Sequence, residues 1–217
     1  MFDNAYTNNI YGISGLSDDE PDLIPLLSSE DEESMNAENI PDVLSILPLR
    51  NTVLFPGVVI PITVGRDKSI KLIKDAYKSD KIIGVVSQKD STVEDPKASD
   101  LHSVGTVAHI IKMLRMPDGN TTVIIQGKKR FMISEVKESE PYIKASILPV
   151  ADKKVINNEK EFNALIDSLR DLSLQIITQS PNIPTEASFA IKNIESPSFL
   201  INFISSNMNA DVARKQQ

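Results

Sequence analysis

Two histidines, one Gly-Lys pair and one basic triplet are the residues of this chain that could do chemistry. His102 and His109 stand seven residues apart, and there is no cysteine anywhere. A protein metal site needs a close cluster of thiolate, imidazole or carboxylate ligands, so this pair predicts none. Gly127-Lys128 is the only Gly-Lys. A phosphate-cradling loop would need a second glycine at 122, where Thr122 stands. Gly12-Ile13-Ser14-Gly15 lacks the spacing of a nucleophile elbow. No nucleophile is paired with a base along the chain, so the residues alone describe a binding module.

Lys128-Lys129-Arg130 follows a glycine at a predicted turn. Nucleic-acid binding needs a concentrated basic face, and this chain has no tryptophan and little positive charge. The triplet therefore reads as a solvated turn, and nucleic acid is not an expected partner. RNA binding remains a third reading, which salt-dependent affinity would revive.

The charge is distributed unevenly. Residues 1–42 hold 11 acidic residues and no Lys or Arg, so the net −7 divides into −11 before Val43 and +4 after it. Few aromatics and many Asp, Glu and Ser residues predict a disordered acidic leader over 1–44. Within it "PDLIPLL" offers a short apolar anchor, set against a purely solubilising role. The 41% hydrophobic content is enough for a real core. No run approaches 20 apolar residues, and "MFDNAYTNNI" is no secretory signal. Without cysteine or a membrane span, a cytoplasmic location is expected.

Elements must position whatever the chain binds. "SILPLR" and "VVIPITVG" read as strands, each interrupted by a proline on an N–H side that must stay unpaired (Pro48, Pro61), with Pro56-Gly57 as the bend between them. Residues 67–79 read as a helix capped by Asp67, with Ile70, Ile73 and Tyr77 on one face. Residues 81–88 form a short buried strand, and 91–100 a loop. Residues 103–116 and 120–133 flank Pro117-Asp118-Gly119, a hairpin turn with a mechanism. Residues 142–150 add a strand. Beyond 152 the apolar period becomes helical: Phe162, Leu165, Ile166, Leu169, Leu172 and Ile176 form a stripe expected to face inward. Helices over 183–194 and 196–207 follow, the latter with Ser196 as cap and Pro197 in its first turn. A fourth begins at 209. The chain ends inside it, as a segment of a longer protein would.

The pattern predicts an α+β fold: a mostly antiparallel, curled β-lobe with one helix, then a small helical bundle. "LPLRNTVLFPGVVIPITVGR", "DKSIKLI" and "VVSQKD" resemble the start of the N-terminal domain of ATP-dependent Lon proteases. "DLHSVGTVAHIIKMLRMPDGNTTVIIQGKKRFMI", "PYIKASILPV" and "VARKQQ" continue that resemblance in order, over about 45–217. The resemblance implies a PUA-like β-lobe over 45–151 and a helical bundle over 152–217, entering a long helix. It also implies capture of unfolded or degron-bearing proteins and a homo-hexamer in the full-length protein. An AAA+ module using ATP and Mg and a Ser-Lys protease module would follow, so no catalytic residue is carried over. The alternative is a stand-alone Lon-like binding protein.

Capture of unfolded chains needs exposed apolar side chains or an open sheet edge. Leu114, Met116, Pro117 and Ile124 at the hairpin are the first candidates, because Met adapts to varied partners and strand alternation puts Leu114 and Met116 on one face. Ile124 is their expected cross-strand neighbour. The competing reading places them in the core. Phe55, beside Pro56, is the second candidate, with burial as its simpler role.

Overall fold

A computed structural model describes residues 39–116, 120–150, 158–180, 183 and 186–217. The acidic leader through Glu38, the Pro117–Gly119 turn and residues 151–157 lie outside the described residues. The strands are β1 (Val43–Leu49), β2 (Val59–Val64), β3 (Ile82–Ser87), β4 (Val104–Arg115), β5 (Thr121–Glu138) and β6 (Lys144–Pro149). The helices are α1 (Asp67–Lys78), α2 (Glu159–Gln179), α3 (Glu186–Asn193), α4 (Pro197–Asn207) and α5 (Val212–Gln216). The sheet begins at Val43, so Val43 and Leu44 join it rather than the leader, and Leu44 is buried.

One strand closes the sheet. The order is β2-β5-β4-β3-β1-β6, and β6 pairs again with β5. β5 is 18 residues long. Its first half pairs with β2 on the edge opposite β4, and its second half pairs with β6 along that edge. Five strands thus form a closed ring with β2 as an attached edge. All pairings are antiparallel except β1 with β3. That parallel pair is buried on both faces, which accounts for the unbroken apolar runs in β1 and β3. Leu44 and Ile46 face a cluster around Phe131, Val86 and Ile147. Leu47 and Leu49 face a larger cluster with Leu72, Ile73 and Val85. Burying each such Leu or Ile side chain stabilises the fold by roughly 1.5–3 kcal/mol.

The prolines sit where the ladder can spare them. Gly127 N–H donates to the Val58 carbonyl. By alternation Val58, Ile60 and Ile62 turn their backbone groups to β5, so Pro61 turns to the open edge of β2. In β1, Ile46 N–H reaches the Ile143 carbonyl while the Leu49 carbonyl accepts from Gln88 on the β3 side. Pro48 therefore points away from β3, past the last β6 partner. Between the strands, Phe55–Val58 is a tight turn closed by Val58 N–H to the Phe55 carbonyl at 3.2 Å. Gly57 adopts φ 79°, the conformation a type II turn demands after proline.

α1 differs from expectation at its start. Arg66 is the N-cap and no side chain caps the helix. Asp67 lies inside the first turn, where its charge favours the helix dipole. The buried face is Ser69, Leu72, Ile73 and Ala76, with Ile70 and Tyr77 at its margins, because β1 and β3 meet the helix one residue round from the predicted stripe. Asn158, Ser196 and Asp211 cap α2, α4 and α5, each accepting from the backbone N–H three residues on. Arg170 of α2 donates to the carbonyls of Ile191 and Ile194, satisfying the end of α3. Sheet and helices share one core: Ile166, Ile191 and Leu200 belong to the same buried cluster as Val85 and Ile110.

The inward stripe of α2 is only half as expected. Ile166 is buried and Phe162 packs on the core, but Leu165, Leu172 and Ile176 are 63%, 56% and 58% exposed. Ser173, Leu174 and Ile177 take the inner positions instead. The apolar arc of this helix is wider than the surface it packs on.

Candidate functional site

The β4–β5 hairpin carries the predicted patch. Met113 faces Val123, Leu114 faces Thr122 and Arg115 faces Thr121 across the ladder. Met116 N–H closes the hairpin on the Asn120 carbonyl at 2.9 Å. Alternation then divides the strands. Val123 and Ile125 point into the core and are fully buried, and Met113 packs against that core. Leu114 and Met116 take the other face and are half-buried.

Ile124 shares the face of Leu114 but not its rung. A register shift at Ile111 places Ile124 opposite Lys112, on the diagonal from Leu114. On its other side it faces Pro61 of β2, and only 8% of it is exposed. The surface that remains accessible is therefore Leu114 and Met116 at the hairpin end, with Ile124 beneath as support and the bulged Ile111 nearby at 45% exposure. Pro117 lies outside the described residues.

Phe55 sits apart from the hairpin end, in the turn between β1 and β2. Its ring is half-buried against the core, and its backbone abuts Gly127. A Cβ added at Gly127 would lie 2.3 Å from the Phe55 carbonyl oxygen. Gly57 N–H and Gly127 N–H complete the seam, donating to the Gly127 and Val58 carbonyls at 2.9 Å each. Gly127 lies three residues beyond Ile124 along β5, about 10 Å at strand rise.

The sequence pattern passed over a second apolar strip. At the far end of β5, Met132 faces Leu148 of β6 and Val104 of β4. Met132 and Leu148 are 41% and 52% exposed. The signal is thin, since past Ile133 the only apolar residue before the strand's end is Val136, and the sequence pattern ends the strand at 133.

Charged groups here serve the framework. Arg66 donates to Gln88 Oε1 at 2.6 Å and to the Val93 carbonyl at 3.4 Å, while Arg50 pairs with Glu94 at 2.8 Å. Burial, and then the nearby Arg50, hold the Arg66 guanidinium below its ordinary value. Lys68 bridges Asp95 and Glu140, whose hydrogen bonds raise its pKa. These contacts tie the loop between β3 and β4 to the end of β1 and the start of α1, and α1 in turn to the β5–β6 connection. His102 is held below its ordinary value by burial, with Lys89 as the lesser cause. Among the described residues no three His, Asp or Glu side chains converge to hold a metal ion. No described helix is long and apolar enough to cross a membrane.

A curled six-stranded sheet followed by short helices is the fold of Lon N-terminal domains. The N-terminal domain of the Mycobacterium avium complex Lon protease superposes with a TM-score of 0.60 at 19% identity, covering 80% of this chain and 94% of that one. The chain belongs to the family described as ATP-dependent protease La (LON) substrate-binding domain, whose model matches residues 43–217. It is 63% identical over 199 residues to a Lon protease of Flavobacterium johnsoniae, covering 92% of this chain and 24% of that protein. The Cytophaga hutchinsonii Lon protease is 50% identical over 201 residues, covering 92% and 25%. Lon protease 2 of Myxococcus xanthus is 43% identical over 182 residues, covering 84% and 22%. The chain thus spans about a quarter of the length of these curated relatives.

Proposed function

We propose that this chain is the substrate-recognition and assembly region of an ATP-dependent Lon-type serine protease that degrades misfolded and regulatory proteins. Family membership across residues 43–217 is the observation that carries the reading. The β-lobe, over about 45–151, takes hold of exposed apolar segments, and the helical bundle, over about 152–217, spaces the lobe from a hexameric ring. ATP and Mg act in an AAA+ module, and peptide cleavage in a Ser-Lys module, both outside this chain and both cytoplasmic.

Capture rests on Leu114 and Met116 together with Pro117, which follows them in the sequence, with Ile124 supporting the patch from below and Phe55 packed against the core beside β5. Two half-buried apolar side chains at a hairpin end make a small contact, and small contacts are weak. Weak contact suits a domain that must release its substrate, and several copies in one ring raise the effective affinity without new contacts. The Leu114→Ser, Met116→Ser double variant is expected to keep its thermal midpoint within a few degrees, since neither side chain is in the core. Its affinity for a permanently unfolded model protein, measured by fluorescence anisotropy, should fall about tenfold, the equivalent of ~1.4 kcal/mol. A folded variant that binds as tightly as the parent would remove this patch.

A further inference from the structure

The N–H groups of Asp67, Lys68 and Ser69 precede the first helical bond of α1, which runs from Ile70 N–H to the Arg66 carbonyl at 2.8 Å. No side chain accepts from this helix start. Such orphan donors carry positive partial charge and attract anions. Ser69 adds a donor of its own. The residue is only 7% exposed, yet its hydroxyl makes no hydrogen bond among the described residues. Every fully enclosed side-chain N or O atom described has a partner, so the Ser69 hydroxyl opens onto the cleft that Ser69 lines.

That cleft lies between the start of α1, the end of β1, the β3–β4 loop and the β5–β6 connection. Its floor is apolar, built from buried Ile46, Leu72, Pro96 and Ile143. Arg66 borders it and spends Nη2 on Gln88 and the Val93 carbonyl, which leaves Nε and Nη1 as donors. The carboxylate of Asp95 also lines the cleft, but Lys68 holds it at 3.0 Å. Asp67 is exposed and caps nothing. Pro48 turns its backbone away from β3 beyond the last β6 partner, so its carbonyl is an acceptor on the open edge beside the cleft.

We propose that this cleft binds the carboxylate of an N-acylated α-amino acid with an apolar side chain. The carboxylate sits at the start of α1 and accepts from its N–H groups and from the Ser69 hydroxyl. The apolar side chain rests on Ile46, Leu72 and Pro96, and the amide N–H donates to the Pro48 carbonyl. A polypeptide C-terminus and a free N-acyl amino acid share this chemistry. Phosphate does not, because it leaves the apolar floor uncovered. The cleft shares no residue with the hairpin patch, so this inference does not rest on the proposed capture surface.

The test is an amide-shift titration of the isotope-labelled 217-residue chain with N-acetyl-leucine. The amides of residues 67–70 should shift, with a dissociation constant on the order of millimolar for so small a ligand. N-acetyl-leucinamide, which lacks the charge, and N-acetylglycine, which lacks the side chain, should each bind about tenfold more weakly. Ser69→Ala should weaken N-acetyl-leucine about fivefold and keep its thermal midpoint within a few degrees. These ligand comparisons need no variant, so they decide the matter even if Ser69→Ala misfolds. A short peptide ending in leucine that binds more tightly than N-acetyl-leucine assigns the site to polypeptide termini; equal or weaker binding assigns it to the free acid. Leucinamide binding as tightly as the acid, shifts outside the start of α1, or undiminished binding by folded Ser69→Ala overturns the inference. The Leu114→Ser, Met116→Ser variant should bind N-acetyl-leucine as the parent does, and a loss there would assign the ligand to the hairpin patch and overturn it too.

Discussion

Two glycines hold the corner on which the β-lobe turns. Gly57 sits at φ 79°, a region where a side chain costs about 1–2 kcal/mol. Gly127 faces the Phe55 carbonyl so closely that any Cβ must push two backbones apart. Gly57→Ala should therefore lower unfolding free energy by about 1–2 kcal/mol, and Gly127→Ala by about 1–3 kcal/mol through overpacking. Urea titrations should show lower midpoints with unchanged slopes for both. Equal midpoints for Gly127→Ala and parent would mean that the seam between the turn and β5 is looser than its hydrogen bonds indicate. At this scale the sequence was legible where turn chemistry is local: Pro56-Gly57 announces its own φ. Gly127 was not, because its reason for being glycine is a carbonyl 72 positions earlier in the chain.

At the scale of elements, α2 is the informative one. Its apolar residues occupy a wider arc than the core can cover. Ile166 points inward, while Leu165, Leu172 and Ile176, with half-buried Leu169 between them, run along the solvent side at four-three-four spacing. Ile166→Ala should cost about 2–5 kcal/mol, the range for a truncated core side chain. Leu172→Ser should change stability by less than about 0.5 kcal/mol, as surface substitutions do. Thermal melts of the two variants would separate these faces, and comparable losses would show that Leu172 is covered. Helical periodicity identified the element, but an apolar arc this wide does not reveal which part of it the neighbours occupy.

His102 makes the stability of the molecule depend on pH. The folded state holds His102 below its ordinary value of 6.5. Between that lowered value and 6.5 the unfolded chain binds more protons, so stability rises with pH across the window and is fully present above it. Stability is lost as pH falls through the folded value. His102→Gln should flatten this part of the profile, read as the urea midpoint between pH 5 and 7 on the order of the imidazole range. A profile of unchanged slope would place the acid sensitivity elsewhere. Ring closure belongs to this scale as well. β5 reaches Glu138, five residues beyond the predicted strand end, and that excess lets it pair with β6 and complete the ring.

What the sequence determined by itself is what local chemistry dictates: strand and helix types from apolar period, the corner at Pro56-Gly57, the cap at Ser196, and the acidic and basic division of the chain. Motifs in the right order were enough to place the fold. Only the tertiary structure decided which faces are buried, because burial depends on what arrives from distant parts of the chain. It put Ile124 under Pro61 and left Leu114 and Met116 at the rim. It turned Leu165, Leu172 and Ile176 outward, and it brought the uncapped start of α1 beside Pro96 and Tyr142. None of these follows from spacing, since each requires two segments far apart in sequence to meet.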